Sequence, residues 1–166
     1  MTTNHIKPIT GNCLCGDTTI LLDTADTGEQ VRTPSPFLSL SRFHILTQTC
    51  FNALSQIACH CQDCKQSSGS AFSTNVLVLQ NEVTIRGPIK TYESKAPSGN
   101  IVQRIFCSKC GSPITHKSEA FGDAQAIQTG NFKQFSRVPF HSELFTKNRW
   151  SGLGEIPGAR QVAAMV

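Results

Sequence analysis

The grouping of the cysteines constrains this chain more than any other feature. Eight of the 166 residues are cysteine, and seven of them fall into three tight clusters. The clusters are Cys13-Leu-Cys15-Gly, Cys59-His-Cys61-Gln-Asp-Cys64 and Cys107-Ser-Lys-Cys110-Gly. Cysteines one or two residues apart bond poorly to each other, but they readily place two sulfur atoms on one ion. The pattern therefore predicts metal sites, while the isolated Cys50 has no expected ligand role.

Seven ligands divide into four plus three. We call Cys13, Cys15, Cys107 and Cys110 the four-cysteine cluster, and Cys59, Cys61 and Cys64 the three-cysteine cluster. The first would join two half-sites that lie far apart in the sequence and close a structural zinc site. The second is compact enough to hold another zinc alone and leave its fourth position open, as catalytic zinc sites do. Two Zn2+ per chain are therefore expected.

Several alternatives stay open at the level of the sequence. His60, Asp63 or a more distant histidine could close the three-cysteine site, and His60 could equally be a packing residue. The cysteines could also be buried structural thiols, or the ligands of a single zinc with spare cysteines. A C-x2-C-G turn favours a metal, because its glycine can take positive φ and turn backbone N–H groups toward the sulfur.

Composition excludes several classes of protein. The length fits one domain, and 39% hydrophobic with 16% charged residues argues against disorder. The apolar stretches are far shorter than the ~20 residues of a membrane span, and residues 1–12 lack the apolar core of a secretory signal. We therefore expect a cytoplasmic, reducing location. A net charge of +4 without a basic run argues against nucleic acid, and the oligomeric state is not readable.

Short β-rich segments between Gly and Pro turns predict a mainly β fold. The predicted strands are residues 17–23, 73–79, 83–86, 90–92, 102–106, 114–116 and 126–129. One helical turn is expected after Cys61, and residues 45–54 have the pattern of an amphipathic helix. We expect a single zinc-stapled domain of short antiparallel strands with few helical turns.

Residues 31–56 differ from the rest of the chain. They contain no acidic residue and no glycine, and they separate the first two cysteine groups. We interpret them as an insertion in a domain that spans residues 10–155, followed by a C-terminal tail at residues 156–166. The segment is either a genuine insertion or a retained intron. Transcript sequencing that detects only the long form would exclude the intron.

Longer motifs surround the cysteines. They are GNCLCG at residues 11–16, CHCQDCKQSSGSAF at 59–72, RIFCSKCGSP at 104–113, QTGNF at 128–132, PFH at 139–141 and KNRW at 147–150. Together they resemble the family of glutathione-dependent formaldehyde-activating enzymes, which also includes centromere protein V. The resemblance covers most of residues 10–155 outside residues 31–56, where the family usually has a much shorter connection.

The resemblance implies a zinc-bearing, mainly β fold. The four-cysteine cluster would hold the structural zinc, and Cys59, Cys61 and Cys64 would hold the catalytic-type zinc. The implied activity is that of a carbon-sulfur lyase similar to S-hydroxymethylglutathione synthase. Such an enzyme adds a small-molecule thiol such as glutathione to a small aldehyde such as formaldehyde, or cleaves the adduct.

Outside the cysteines, the candidates are less specific. Lys65, Arg104 and Arg149 could hold the carboxylates of a thiol such as glutathione, although each has a plainer role as a surface charge. His116 and His141 could act as acid or base, or simply pack. The alternative function is a non-catalytic, zinc-stabilised module that binds a protein or chromatin. The lack of a concentrated basic patch counts against chromatin.

Overall fold

The computed structural model describes residues 8–23 and 55–165. Cys50, the predicted helix at 45–54 and nearly all of the segment 31–56 lie outside the described residues. Strands dominate the described part of the chain, which confirms the mainly β fold class. No helix in that part is long and apolar enough to cross a membrane.

Eleven strands and one α-helix make up the regular structure of the described residues. The strands are β1 Ile9–Asn12, β2 Thr19–Leu22, β3 Gln56–Cys59, β4 Ser73–Leu79, β5 Val83–Arg86, β6 Ile89–Lys95, β7 Ile101–Cys107, β8 Pro113–Ser118, β9 Ala124–Gln128, β10 Phe140–Leu144 and β11 Arg160–Val162. The helix α1 spans Gln62–Ser68, where one helical turn was expected. Gly69 ends it in the left-handed region at φ 63°, a conformation that glycine adopts without strain.

Two sheets form, with three and eight strands. The small sheet has the order β1-β2-β5, and the large sheet has the order β11-β10-β3-β4-β9-β8-β7-β6. Most neighbours are antiparallel, as expected, but β10 runs parallel to both β3 and β11. β11 lies within the segment that we expected to be a C-terminal tail, and it extends the edge of the large sheet. The domain boundaries themselves stay a prediction.

The apolar core lies between the two sheets. Ile20 and Leu22 of β2 alternate inward, and Val76 and Val78 of β4 meet them from the large sheet. Ile127 of β9 is also fully buried in this cluster. Burying each of these side chains stabilises the fold by roughly 1.5–3 kcal/mol. One face of the large sheet therefore packs against the core, and its other face can carry polar groups.

Candidate metal centres

The structure gathers all four sulfur atoms of the four-cysteine cluster, which lie within 4.8 Å of one another. The Sγ atoms of Cys13 and Cys15 are 3.4 Å apart, and those of Cys15 and Cys107 are 3.8 Å apart. Four thiolates around a zinc ion at ~2.3 Å would be about 3.8 Å apart. The donor set and its spacing therefore fit zinc.

Two glycine turns shape this cluster. Gly111 has a φ of 74°, which confirms the positive φ expected in the C-x2-C-G turn, and Gly16 after the first cysteine pair has a φ of 84°. The N–H of Gly111 donates to the carbonyl of Cys107 at 3.0 Å, and the N–H of Thr18 donates to the sulfur of Cys13 at 3.2 Å. These contacts fix the sulfur positions from the backbone.

The three-cysteine cluster is built locally at the end of β3 and the start of α1. Its three sulfur atoms also lie within 4.8 Å of one another. Cys61 caps the helix, because its sulfur accepts a hydrogen bond from the N–H of Cys64 at 3.4 Å. Among the described residues, the group of possible ligand atoms contains only these three cysteines. The geometry again fits a zinc site, here with three ligands from the described part of the chain.

His60 and Asp63, the two neighbours that could have closed this site, are engaged elsewhere. The Nε2 atom of His60 lies 2.9 Å from an oxygen of Glu143. The carboxylate of Asp63 accepts a hydrogen bond from Arg104 at 3.2 Å. Neither side chain belongs to the ligand group.

The sulfur atoms of the three-cysteine cluster share their protons unequally. Hydrogen bonds from Cys59 and Cys64 lower the pKa of the Cys61 thiol to about 2, and the positive charge of Arg104 acts in the same direction. The corresponding contacts with Cys61 and Cys64, together with burial, raise the pKa of the Cys59 thiol far above its usual range. The three thiols therefore titrate together, with the thiolate form favoured at Cys61.

A band of polar side chains continues from this cluster across the large sheet. Directly opposite residues in paired antiparallel strands share a face, as do residues two apart in one strand. The register places six residues on this face in sequence across β3, β4, β9, β8 and β7: Cys59, Ser73, Asn75, Gln128, His116 and Arg104. The opposite face carries the apolar core. We call this surface the polar face.

The polar face meets the cluster at Ser73. The amide of Asn75 donates to the hydroxyl of Ser73 at 2.8 Å, and Ser73 opposes the contacts with neighbouring thiols that raise the pKa of the Cys64 thiol to about 11. Both Ser73 and Asn75 are buried. Their signal in the sequence is weak, because a serine and an asparagine inside a β-rich segment do not by themselves indicate a site.

The basic candidates have other partners. Arg104 pairs with Asp63, and Arg149 donates to Glu143 at 3.0 Å. Lys65 donates to the carbonyl of Asn148 and lies 5.7 Å from the centre of the Trp150 ring. The role of these side chains in holding substrate carboxylates stays a prediction, and Arg104 is the one whose charge acts on Cys61.

The two histidine candidates differ sharply. His116 is buried on the polar face, and burial together with the charge of Arg104 lowers its pKa to about 4. Its Nδ1 atom lies 3.5 Å from the amide of Gln128. At neutral pH it is therefore uncharged. His141 is exposed on β10.

A cleft of about 360 Å3 is lined mainly by polar residues. They are Ser68, Ser70, Phe72, Ser73, Thr74, Ser112, Pro113, Gln128, Gly130 and Asn131. Ser73 and Gln128 belong to the polar face, and the hydroxyl of Ser112 lies 3.3 Å from the sulfur of Cys110 in the four-cysteine cluster. The lining offers hydroxyl and amide groups to a polar molecule.

Glu143 is a buried charged residue that the sequence does not mark as functional. Burial alone would raise the pKa of its carboxyl group, but hydrogen bonds from Ile156, His60 and Gln161 and the charge of Arg149 hold it at about 2. The partners lie 6 to 83 residues away along the chain. No local pattern around residue 143 indicates this arrangement.

Comparison with known proteins places the chain in a family. No curated protein matches it significantly in sequence. A crystal structure of a Rhodobacter sphaeroides protein is similar at 13% sequence identity with a TM-score of 0.49, over 80% of this chain and 99% of that one. A family model described as glutathione-dependent formaldehyde-activating enzyme matches residues 44–148, which is well over half of the chain. The match contains the three-cysteine cluster and does not reach Cys13 or Cys15. The chain belongs to the glutathione-dependent formaldehyde-activating enzyme family.

Proposed function

We propose that this chain is a zinc-dependent carbon-sulfur lyase. It joins a thiol such as glutathione to a small aldehyde such as formaldehyde, or cleaves the resulting adduct. The single observation that carries the proposal is the set of three sulfur atoms of Cys59, Cys61 and Cys64 within 4.8 Å of one another, with no fourth ligand beside them among the described residues. Family membership supports the same class of reaction.

The residues around the cluster support this role. A zinc ion bound by the three cysteines would lower the pKa of an incoming thiol and hold it as a thiolate. Cys59, Cys61 and Cys64 would be its ligands, and Ser73 lies opposite Cys59 in the register of β3 and β4. Arg104 adds positive charge beside Cys61, which favours an anionic sulfur at this position. Holding thiol and aldehyde together supplies most of the acceleration, because the two already react as nucleophile and electrophile.

His116 offers an uncharged polar group beside Arg104. It is uncharged at neutral pH, since burial lowers its pKa to about 4. Its partner across β7 and β8 is Arg104, so the two lie side by side on the polar face. The neutral ring can take part in hydrogen bonds with the thiol substrate, and the hydroxyl and amide groups of the neighbouring cleft accommodate the rest of the thiol.

The proposal extends to the other cluster and to the setting of the protein. We propose that the four-cysteine cluster holds a second zinc that is structural, which gives two zinc ions per chain. A cytoplasmic location agrees with seven thiols that must stay reduced. The domain would span residues 10–155, with the insertion at residues 31–56.

Measuring adduct formation tests the function. Zinc-loaded protein is mixed with glutathione and formaldehyde, and exchange between free and hydroxymethylated glutathione is followed by NMR. We expect exchange faster than in the absence of protein. Cys61→Ser should abolish the acceleration, and Cys50→Ser, which changes the cysteine outside the clusters, should preserve it. Exchange at the uncatalysed rate with every small thiol and aldehyde tried would contradict the enzyme and favour a binding module.

A further inference from the structure

The carboxylate of Glu143 connects the three-cysteine cluster to the C-terminal part of the sheet. The side chain is 1% exposed. One oxygen lies 2.9 Å from the Nε2 atom of His60. The other oxygen accepts three hydrogen bonds, from Arg149 at 3.0 Å, from the N–H of Ile156 at 2.9 Å and from the amide of Gln161 at 2.7 Å. Since an ionised carboxylate only accepts, His60 carries a proton on Nε2.

His60 stands between two of the cluster cysteines, and other parts of the chain hold both its backbone and its ring. The backbone N–H of His60 donates to the carbonyl of Leu144 at 2.9 Å, and the imidazole ring packs against the ring of Phe72 at a centroid distance of 5.4 Å. The Nδ1 atom of the ring is buried and has no hydrogen-bond partner among the described residues. The bond to Glu143 is therefore the one polar contact found for this ring, and it fixes the ring's orientation.

We propose that Glu143 is a positioning residue for the three-cysteine cluster. By holding the ring of His60, it fixes the backbone that separates Cys59 from Cys61, and so keeps their sulfur atoms at the spacing that a metal requires. The inference rests on the proposed metal site at this cluster. Groups that orient metal ligands from outside the coordination sphere typically change metal affinity by 10–100-fold when they are removed.

Glutamine at position 143 breaks this link while keeping the volume of the side chain. Three donors converge on one oxygen of Glu143, so the amide oxygen of the variant must occupy that place. Its NH2 group then faces the Nε2 atom of His60. The histidine could accept this bond only by moving its proton to Nδ1, where no acceptor is available among the described residues. The substitution therefore weakens the contact between residue 143 and His60, while the three hydrogen bonds to the other oxygen can remain.

Zinc release from the protein tests the proposal. Zinc-loaded wild-type protein and Glu143→Gln are mixed with a chromogenic chelator, and release from each cluster is followed over time. Cys61→Ser, which removes the three-cysteine site, assigns the two phases. We expect Glu143→Gln to release the zinc of the three-cysteine cluster about tenfold faster or more, with the other phase unchanged. The matched control is Glu155→Gln, since Glu155 also faces Arg149, at 3.9 Å, but is 70% exposed. It should release both zinc ions at the wild-type rates.

A second variant tests whether Glu143 acts through His60. His60→Phe keeps a ring against Phe72 and removes the donor, so it should also speed release from the three-cysteine cluster. The double variant should be no faster than the faster single one, because both changes remove the same contact. His60→Phe also keeps the test possible if Glu143→Gln does not fold.

The outcomes separate this proposal from the proposed function. Two zinc ions in the wild-type protein, released at unchanged rates in Glu143→Gln and His60→Phe, would overturn the positioning role alone. Equal acceleration at both clusters would also overturn it, because Glu143 would then support the fold in general. If the Cys61→Ser variant holds as much zinc as the wild-type protein, the proposed function is overturned and this inference with it.

Discussion

The two cysteine clusters use the same ligand chemistry in different settings. The four-cysteine cluster joins Cys13 near the start of the described chain to Cys110, and Cys107 within it is fully buried in the apolar core. The three-cysteine cluster draws all its sulfur atoms from six consecutive residues, 59–64, and lies at the end of the polar face. The first arrangement connects distant parts of the chain, whereas the second adds no long-range connection of its own.

The ion pairs beside the clusters extend the comparison. Lys109 and Asp17 pair at 2.6 Å beside the four-cysteine cluster, and both are largely exposed. Arg104 and Asp63 pair at 3.2 Å beside the three-cysteine cluster, and Arg104 is 16% exposed. A charge that is shielded from water acts more strongly on its surroundings than one that water screens. We therefore expect the charge of Arg104 to act on its cluster more strongly than the charge of Lys109 acts on the other.

The largest expected effect comes from comparing a cysteine of each cluster. Cys107→Ser should lower the free energy of unfolding by about 5 kcal/mol or more and the Tm by at least roughly 10 °C, because a structural zinc contributes directly to folding. Cys61→Ser should abolish activity with a much smaller change in Tm. Thermal unfolding followed by circular dichroism, with zinc content measured in parallel, checks both. Similar losses of stability in the two variants would remove the distinction between the clusters.

Local patterns were enough to predict much of this arrangement. The segments at residues 73–79 and 83–86 form β4 and β5 with the predicted bounds, because alternating β-branched and apolar residues favour strands. The division of the cysteines into four and three also appears in space. Cysteines close together in the sequence must also lie close together in space. Joining the pair Cys13 and Cys15 to the pair Cys107 and Cys110 was the one prediction that linked distant parts of the chain.

The connections through β10 were not predictable from the sequence. β1, β3, β10 and β11 were all missed, and each has only three to five residues. β10 carries Glu143 at a fully buried position, where a strand pattern predicts an apolar side chain. Its partner His60 lies 83 residues earlier, so the pair exists only once β3 and β10 align in parallel. A buried charge of this kind is defined by tertiary structure alone.

Protonation of His116 on the polar face should destabilise the fold. Burial lowers the pKa of His116 from 6.5 to about 4, so between these values the unfolded chain binds more protons than the folded protein. The stability that depends on the neutral ring is fully present above pH 6.5 and is lost as the pH falls toward 4. From pH 7 to 4, the wild-type protein should lose about 3 kcal/mol more stability than His116→Gln.

Denaturant unfolding at a series of pH values measures this difference. His141→Gln is the matched control, since His141 is exposed on β10 and its replacement should leave the wild-type pH dependence intact. Acid also releases metal from the clusters, but this loss of stability is the same in all three proteins. Comparing their free energies of unfolding at each pH therefore removes it. Parallel pH curves for the wild-type protein and His116→Gln would show that the buried ring does not titrate with unfolding.

The smallest expected effect tests the charge beside each cluster. Arg104→Gln should lower the rate of adduct formation about tenfold, or ~1.4 kcal/mol, because Arg104 acts on Cys61. Lys109→Gln, which removes the corresponding charge at the four-cysteine cluster, should leave the rate unchanged. The measurement uses glutathione and 2-mercaptoethanol in turn, since only glutathione carries carboxylates. Because Arg104 is paired with Asp63, both thiols should lose activity equally. A rise in KM for glutathione alone would instead place Arg104 on the substrate carboxylate. Equal effects of Arg104→Gln and Lys109→Gln on the rate would show that neither charge distinguishes the two clusters.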